Sequence, residues 1–170
     1  MVALRKREMS HICERRVVHC PSREASRYLA AFVAAQRAGG LTAHIELRVP
    51  IRVFSDRLPA IELRVFAAFH SLHAVSDPHP TYSISWSSKG VPFPEFAGAL
   101  AVEQGLNDDC FGLVLSGHYD LPFGRLGALF DAALGRRIAH GSARDFLRSI
   151  TDQIENARTR NDMVRSGANP

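Results

Sequence analysis

Residues 110–140 read Cys110-Phe-Gly-Leu-Val-Leu-Ser-Gly-His-Tyr-Asp-Leu-Pro-Phe-Gly-Arg-Leu-Gly-Ala-Leu-Phe-Asp-Ala-Ala-Leu-Gly-Arg-Arg-Ile-Ala-His140, and within them the apolar spacing changes from two to about 3.6. Phe111, Leu113, Leu115 and Tyr119 alternate as in a strand with one buried face, broken only by Gly117. From Gly124 to about Asn156, Leu126, Phe130, Leu134, Ile138, Phe146, Ile150 and Ile154 fall on one stripe of a helix. Such a helix has roughly 33 residues and is about 50 Å long at 1.5 Å per residue. Gly135 and Gly141 lie inside it at a cost of about 1 kcal/mol each relative to Ala, so each is expected to mark close packing or a bend.

The chain before this stretch repeats the strand period. His11 to His19 is β-branched at Ile12, Val17 and Val18 and runs into Pro21-Ser22, a helix start. From Ser22 to Ala38 the residues Ala25, Tyr28, Leu29, Phe32 and Val33 mark one buried helical face, and Gly39-Gly40 ends it. Four alternating series follow before the last strand: Ala43–Ile51, Ile61–Phe69, Tyr82-Ile84-Trp86 against Ser83, Ser85 and Ser87, and Phe96-Gly98-Leu100-Val102. Short Gly, Pro, Asn and Asp turns join them with no helical crossover, which predicts an antiparallel meander. The expected fold class is therefore α+β: a curved antiparallel sheet of six to seven strands around a long C-terminal helix, with a short helix after the first strand. One domain over residues 11–156 is expected, with 1–10 and 157–170 as flexible tails.

A long helix with one apolar stripe must bury it, and one face of the meander is the large apolar surface on offer. Strand glycines at Gly98, Gly112 and Gly117 suit a bent sheet or a close backbone approach. A space opened between a curved sheet and the helix would be an apolar, ligand-sized pocket.

The order strand, short helix, meander, long helix resembles the START-like helix-grip superfamily (SRPBCC), which includes polyketide cyclases, Bet v 1-like plant allergens and coenzyme-Q-binding proteins. The resemblance spans most of the chain. Its most specific part is 110–140, similar to that family's last strand and gripped helix, with Gly124-x-x-Gly127, Asp131 and Gly135-Arg136 in characteristic positions. It implies a cavity for a lipid, isoprenoid or quinone, polyketide or other aromatic molecule, and no single activity. The ligand-facing set on this reading is Phe69, Tyr82, Ile84, Trp86, Leu100, Val102, Leu113, Leu115, Tyr119, Phe130 and Leu134. Trp86 is expected to point at the C-terminal helix near Phe130 and Leu134.

Candidate chemistry is sparse. His118 and Asp120 flank Tyr119 at the end of the last strand, and a His-carboxylate pair can exchange protons. However, His118 has the opposite parity from Leu115 and Tyr119, which turns it outward. Asp131 follows Phe130 in the early helix, where the dipole favours a carboxylate; buried at a cavity mouth it would instead be an acid-base group. His118, Tyr119 and Asp131 are thus the catalytic candidates if there is catalysis. His70-x-x-His73 with Asp77 and His79 looks metal-like, but i and i+3 on a strand face opposite ways, so no metal site is expected. No P-loop, G-x-G-x-x-G or G-x-S-x-G pattern occurs, and no cofactor is expected.

The formal charge is +4 in 170 residues, with basic and acidic residues interleaved, so no nucleic-acid partner is expected. Cys13, Cys20 and Cys110 form no C-x-x-C pair and read as reduced thiols. No apolar run approaches the roughly 18 residues of a membrane span, and a cytoplasmic location is expected. Binding or carriage of a hydrophobic small molecule leads. A cyclase or dehydratase acting in the same cavity is the alternative, a partner-binding module is a third, and a homodimer is compatible with each.

Overall fold

The computed structural model describes residues 10–37, 43–45, 65–71, 81–87, 95–105, 107–120 and 132–167. Strand β1 (Ser10–Val18) passes through a buried Pro21 into one 3-10 turn (Ser22–Glu24) and helix α1 (Ala25–Arg37). Then come β2 (Ala43–Ile45), β3 (Val65–Ser71), β4 (Thr81–Ser87), β5 (Glu95–Gln104), β6 (Phe111–Asp120) and helix α2 (Ala132–Arg165). The expected strand Ala43–Ile51 is described only over Ala43–Ile45, and the segment 46–64 lies outside the described residues. On α1, Ala25, Tyr28, Leu29, Phe32 and Val33 are all buried, as their spacing predicts.

All pairings are antiparallel, in the order β1-β6-β5-β4-β3-β2, so the first strand closes against the last. The register sets the inner face out in rows. Trp86, Phe96, Tyr119 and Ser10 lie opposite one another across β4, β5, β6 and β1. The next row is Ile84, Gly98, Gly117 and Ile12, and the one after is Tyr82, Leu100, Leu115 and Glu14. Val102, Leu113 and Arg16 follow, then Phe111 beside Val18. Every large apolar residue in these rows is buried, while Ser85 and Ser87 on the other face are exposed. A one-residue slip would turn the whole set outward.

Helix α2 covers this face with Ala139, Ala143, Phe146, Leu147, Ile150 and Ile154, all buried. Each large apolar side chain taken from water stabilises by about 1.5–3 kcal/mol before entropy is counted. Polar contacts fix the helix direction. Glu14 on β1 meets His140 and Arg144, and five residues on the backbone N–H of His19 donates to Glu155 Oε1 at 2.9 Å. About 17 Å of strand thus runs beside about 22 Å of helix in the same direction. Phe146 reaches the other way to Trp86 on β4, with ring centres 5.8 Å apart. The helix therefore spans the sheet from β1 to β4.

Two expectations about α2 are corrected. It does not end near Asn156 but continues to Arg165, nine residues into the segment assigned to a tail. The extra turns are anchored: Arg158 Nη1 donates to the carbonyl of His19 at 2.6 Å, Arg158 pairs with Asp162 at 3.5 Å, and Asn161 Nδ2 donates to the Tyr28 hydroxyl at 3.2 Å. Gly141 is not a close-packing position, since a Cβ there would meet nothing within 4 Å and the helix runs through it unbroken.

The β5–β6 turn is tied to the 3-10 turn ahead of α1, where the backbone N–H of Ser22 donates to the Asp108 carbonyl at 3.1 Å. Nearby, Cys20 is fully buried, and burial together with the Glu24 charge pushes its thiol up to about 11. It is a packing residue at neutral pH.

Candidate functional site

The middle of the inner face is shaped by two glycines. Gly98 and Gly117 stand directly opposite each other, and a Cβ on Gly117 would lie 2.5 Å from the Ala97 carbonyl oxygen and 2.6 Å from Gly98 Cα. A Cβ on Gly98 would likewise run into the Ser116 carbonyl oxygen. Neither position admits a side chain, so the two strands approach closely there. The Phe96 ring folds over the space, with its Cζ 2.7 and 2.8 Å from the two would-be Cβ atoms.

Trp86 stacks on that ring at 4.2 Å between centres and 20° between planes, and Phe146 of α2 tilts against Trp86 at 56°. Offset stacked and tilted aromatic pairs add about 0.5–1.5 kcal/mol each beyond area burial. The result is an aromatic layer, Phe96 on the sheet, Trp86 above it and Phe146 from the helix. Trp86 is only 3% exposed. Its described ring contacts are with Phe96 and Phe146; Phe130, which the sequence pairs with it, lies outside the described residues.

Polar groups on the face are few. Tyr82 and Tyr119 are buried and carry hydroxyls. Thr151 of α2, also buried, spends its hydroxyl on the Leu147 carbonyl at 2.9 Å. Among the described residues of the face, charge enters along β1, where Glu14 and Arg16 occupy inward positions between Ile12 and Val18. Glu14 Oε1 receives His140 Nδ1 at 2.6 Å and Oε2 receives Arg144 Nε at 3.0 Å. Its side chain is 12% exposed, and burial pushes the carboxyl up. The hydrogen bonds and charges of Arg144 and His140 outweigh that and hold it below the ordinary 4.5. Arg16 Nε is buried with no hydrogen-bond partner among the described residues.

The outer face shows a different use of glycine. Arg15 crosses over Gly112, its Nε 3.1 Å from where a Cβ would sit, to pair with Glu103 at 2.8 Å. A groove of about 580 Å³ also opens between α1 and α2, lined by Tyr28, Phe32, Ile154, Asn156 and Arg160 among others. None of the ligand-facing or catalytic candidates picked from sequence lines it.

Of the sequence-predicted set, Tyr82, Ile84, Trp86, Leu100, Val102, Leu113, Leu115 and Tyr119 are brought together on one buried face under α2. Phe69 lies on β3 opposite Ile84 in register, and Leu134 lies in the first turn of α2. Phe130 and Asp131 lie outside the described residues, as do His73, Asp77 and His79. His118 is exposed on the outer face, on the side its parity indicates, next to His11. The residues missed are Phe96 and Phe146 as members of the aromatic layer, and the Glu14–His140–Arg144 cluster. A signal for the cluster exists: charged residues at inward parity on β1, and His140 with Arg144 one helical turn apart.

No family profile matches the chain, and no curated protein is significantly similar to it in sequence. Solved structures do match. A conserved protein from Geobacillus kaustophilus superposes with a TM-score of 0.56 at 14% identity, covering 87% of this chain and 97% of its own. An aromatase/cyclase from Streptomyces sp. R1128 gives 0.53 at 11%, covering 87% and 94%. An uncharacterized protein from Bacillus thuringiensis gives 0.53 at 12%, covering 85% and 98%. The chain has the START-like helix-grip fold. At these identities the likeness is one of fold. Among the described residues of this helix-grip chain, no helix is long and apolar enough to cross a membrane.

Proposed function

We propose that this helix-grip domain binds a hydrophobic small molecule, such as a lipid, quinone, polyketide or other aromatic compound, between the inner face of β4–β6 and α2. The observation that carries this is the continuous apolar face from Trp86 to Leu113, whose described side-chain polar groups are two tyrosine hydroxyls and the Trp86 indole N–H. Apolar sites with a few placed polar groups are the common form of ligand pockets. The proposed ligand-facing residues are those brought together there together with Phe69, Phe130 and Leu134 from the sequence reading, and the bound molecule is carried rather than transformed.

Native mass spectrometry of protein purified from its own host tests this, the expected result being co-purification of one apolar species. Recovery of no ligand, together with an experimental structure in which side chains fill the space beneath α2, would refute it.

A cyclase- or dehydratase-like activity is the second reading, favoured by the buried Tyr119 and by an aromatase/cyclase among the fold neighbours. With His118 exposed, it rests on Tyr119 and Asp131. Tyr119→Phe should then abolish turnover of an aromatic polyketide while leaving its binding within about twofold. Equal turnover by the variant eliminates Tyr119 as an acid-base group.

A further inference from the structure

The outer face of the β1–β6 pair carries two histidines that neither the fold nor the proposed ligand site uses. His11 and His118 are directly opposite in the antiparallel register, and both are exposed. Opposed residues have Cβ atoms about 4.5–5.5 Å apart. The imidazole centres lie 5.3 Å apart with planes at 73°. On the other side of His118, β5 presents Ala97, whose methyl leaves the ring uncovered.

We propose that His11 and His118 form a two-imidazole site for a divalent transition-metal ion of the Zn²⁺ type. With Zn–N near 2.0–2.1 Å and each ring nitrogen ~1.1 Å from its ring centre, two imidazoles at a tetrahedral angle have centres about 5.2 Å apart. The observed 5.3 Å matches that separation, so the two rings can share one ion without the strands moving. The planes need only turn about χ2, a broad torsion for His, and that turn scarcely moves the ring centres because they lie near its axis. Among the described residues no group of three or more His, Cys, Asp or Glu converges on a point, so the remaining coordination positions go to water or an added donor. Imidazole selects Zn²⁺, Ni²⁺ or Cu²⁺ over Mg²⁺ and Ca²⁺, which prefer oxygen. Cys13 faces the same side one step along β1 and is exposed, which makes it the natural control.

Calorimetric titration of the full chain with Zn²⁺ and with Mg²⁺ tests the proposal. Expected are a Zn²⁺ site absent from the Mg²⁺ titration, and an affinity loss of at least tenfold in His11→Ala and in His118→Ala alike. Cys13→Ser should stay within twofold of wild type. Far-UV circular dichroism establishes that the exposed-site variants keep the fold; should either alanine variant lose it, His11→Gln and His118→Gln give the same readout. Zn²⁺ binding that survives either histidine substitution within twofold, or that is lost on Cys13→Ser, overturns the two-imidazole assignment. So does Mg²⁺ binding of equal strength.

Discussion

Replacing Trp86 by Ala removes the middle ring of the aromatic layer. The indole is 3% exposed, stacked on Phe96 at 4.2 Å and tilted against Phe146 at 5.8 Å. Truncating a core Trp to Ala costs about 3–5 kcal/mol, rising with the cavity left behind. Loss of two aromatic contacts at about 0.5–1.5 kcal/mol each places this site in the upper half of that range. Against a total stability of about 5–15 kcal/mol the loss is large, and at about 2–4 °C per kcal/mol for a chain this size the Tm should fall by roughly 8–20 °C. Trp86 is the chain's only tryptophan, so the variant must be followed by far-UV circular dichroism in urea rather than by fluorescence. A smaller loss, about 1–3 kcal/mol, accompanied by weakened ligand binding would mean that the indole borders ligand space instead of solid core. A loss below about 1 kcal/mol with unchanged binding would refute the placement of the inner face itself.

Three other changes probe separate parts of the structure. Gly141→Ala, in a helix interior with open space around the new methyl, should stabilise by about 0.5–1 kcal/mol; an unfolding midpoint in urea at or below that of wild type would contradict the open site. Gly117→Ala places a methyl 2.5 Å from the Ala97 carbonyl and should destabilise by about 1–3 kcal/mol, whereas a neutral result by the same assay would show that the β5–β6 approach can relax. The Glu14 carboxyl sits below its ordinary 4.5 in the folded chain, so its contribution is full above that value and is lost as pH falls through the lower folded value. Glu14→Gln should accordingly flatten the decline in stability below pH 4.5 seen by acid titration, and an unchanged decline would detach Glu14 from it.

The elements legible in sequence were those with a clean period. Tyr82-Ile84-Trp86 against three serines has one buried solution, and the structure adopts it. Phe146, Ile150 and Ile154 likewise recur at helical spacing and lie against the sheet. Tertiary contacts decided the rest. The end of α2 has no apolar stripe, and its turns are held by Arg158 and Asn161 reaching groups more than a hundred residues away in sequence. No local pattern carries such a partner. Gly141 misled for a related reason, since a helical glycine reports a lost Cβ but not whether a neighbour occupies the space. The Trp86–Phe96 stack required the β4–β5 register, which alternation alone leaves free by steps of two.

The distribution of polar groups over the rows bears on whether the fold is used for binding or for chemistry. From β4 to β6 the described face is apolar apart from the Tyr82 and Tyr119 hydroxyls and the Trp86 indole N–H, and under the proposed function a hydrogen bond from one of these to a ligand would be worth about 0.5–1.5 kcal/mol net. That is enough to orient a molecule already held by burial. The strongly charged groups of the described face stand apart on β1, where Glu14 is engaged from the helix and Arg16 Nε has no described partner. Glu14 accepts from both His140 and Arg144 and is ionised at neutral pH, so it has no proton to give as a general acid and its oxygens are already engaged. His140 is likewise committed at Nδ1. A buried carboxylate held by two donors on the facing helix clamps that helix to the strand, and breaking such a set from one side is costly because the partners remain. The Glu14 cluster thus serves to hold α2 against the sheet, and the apolar rows beside it are buried beneath that helix.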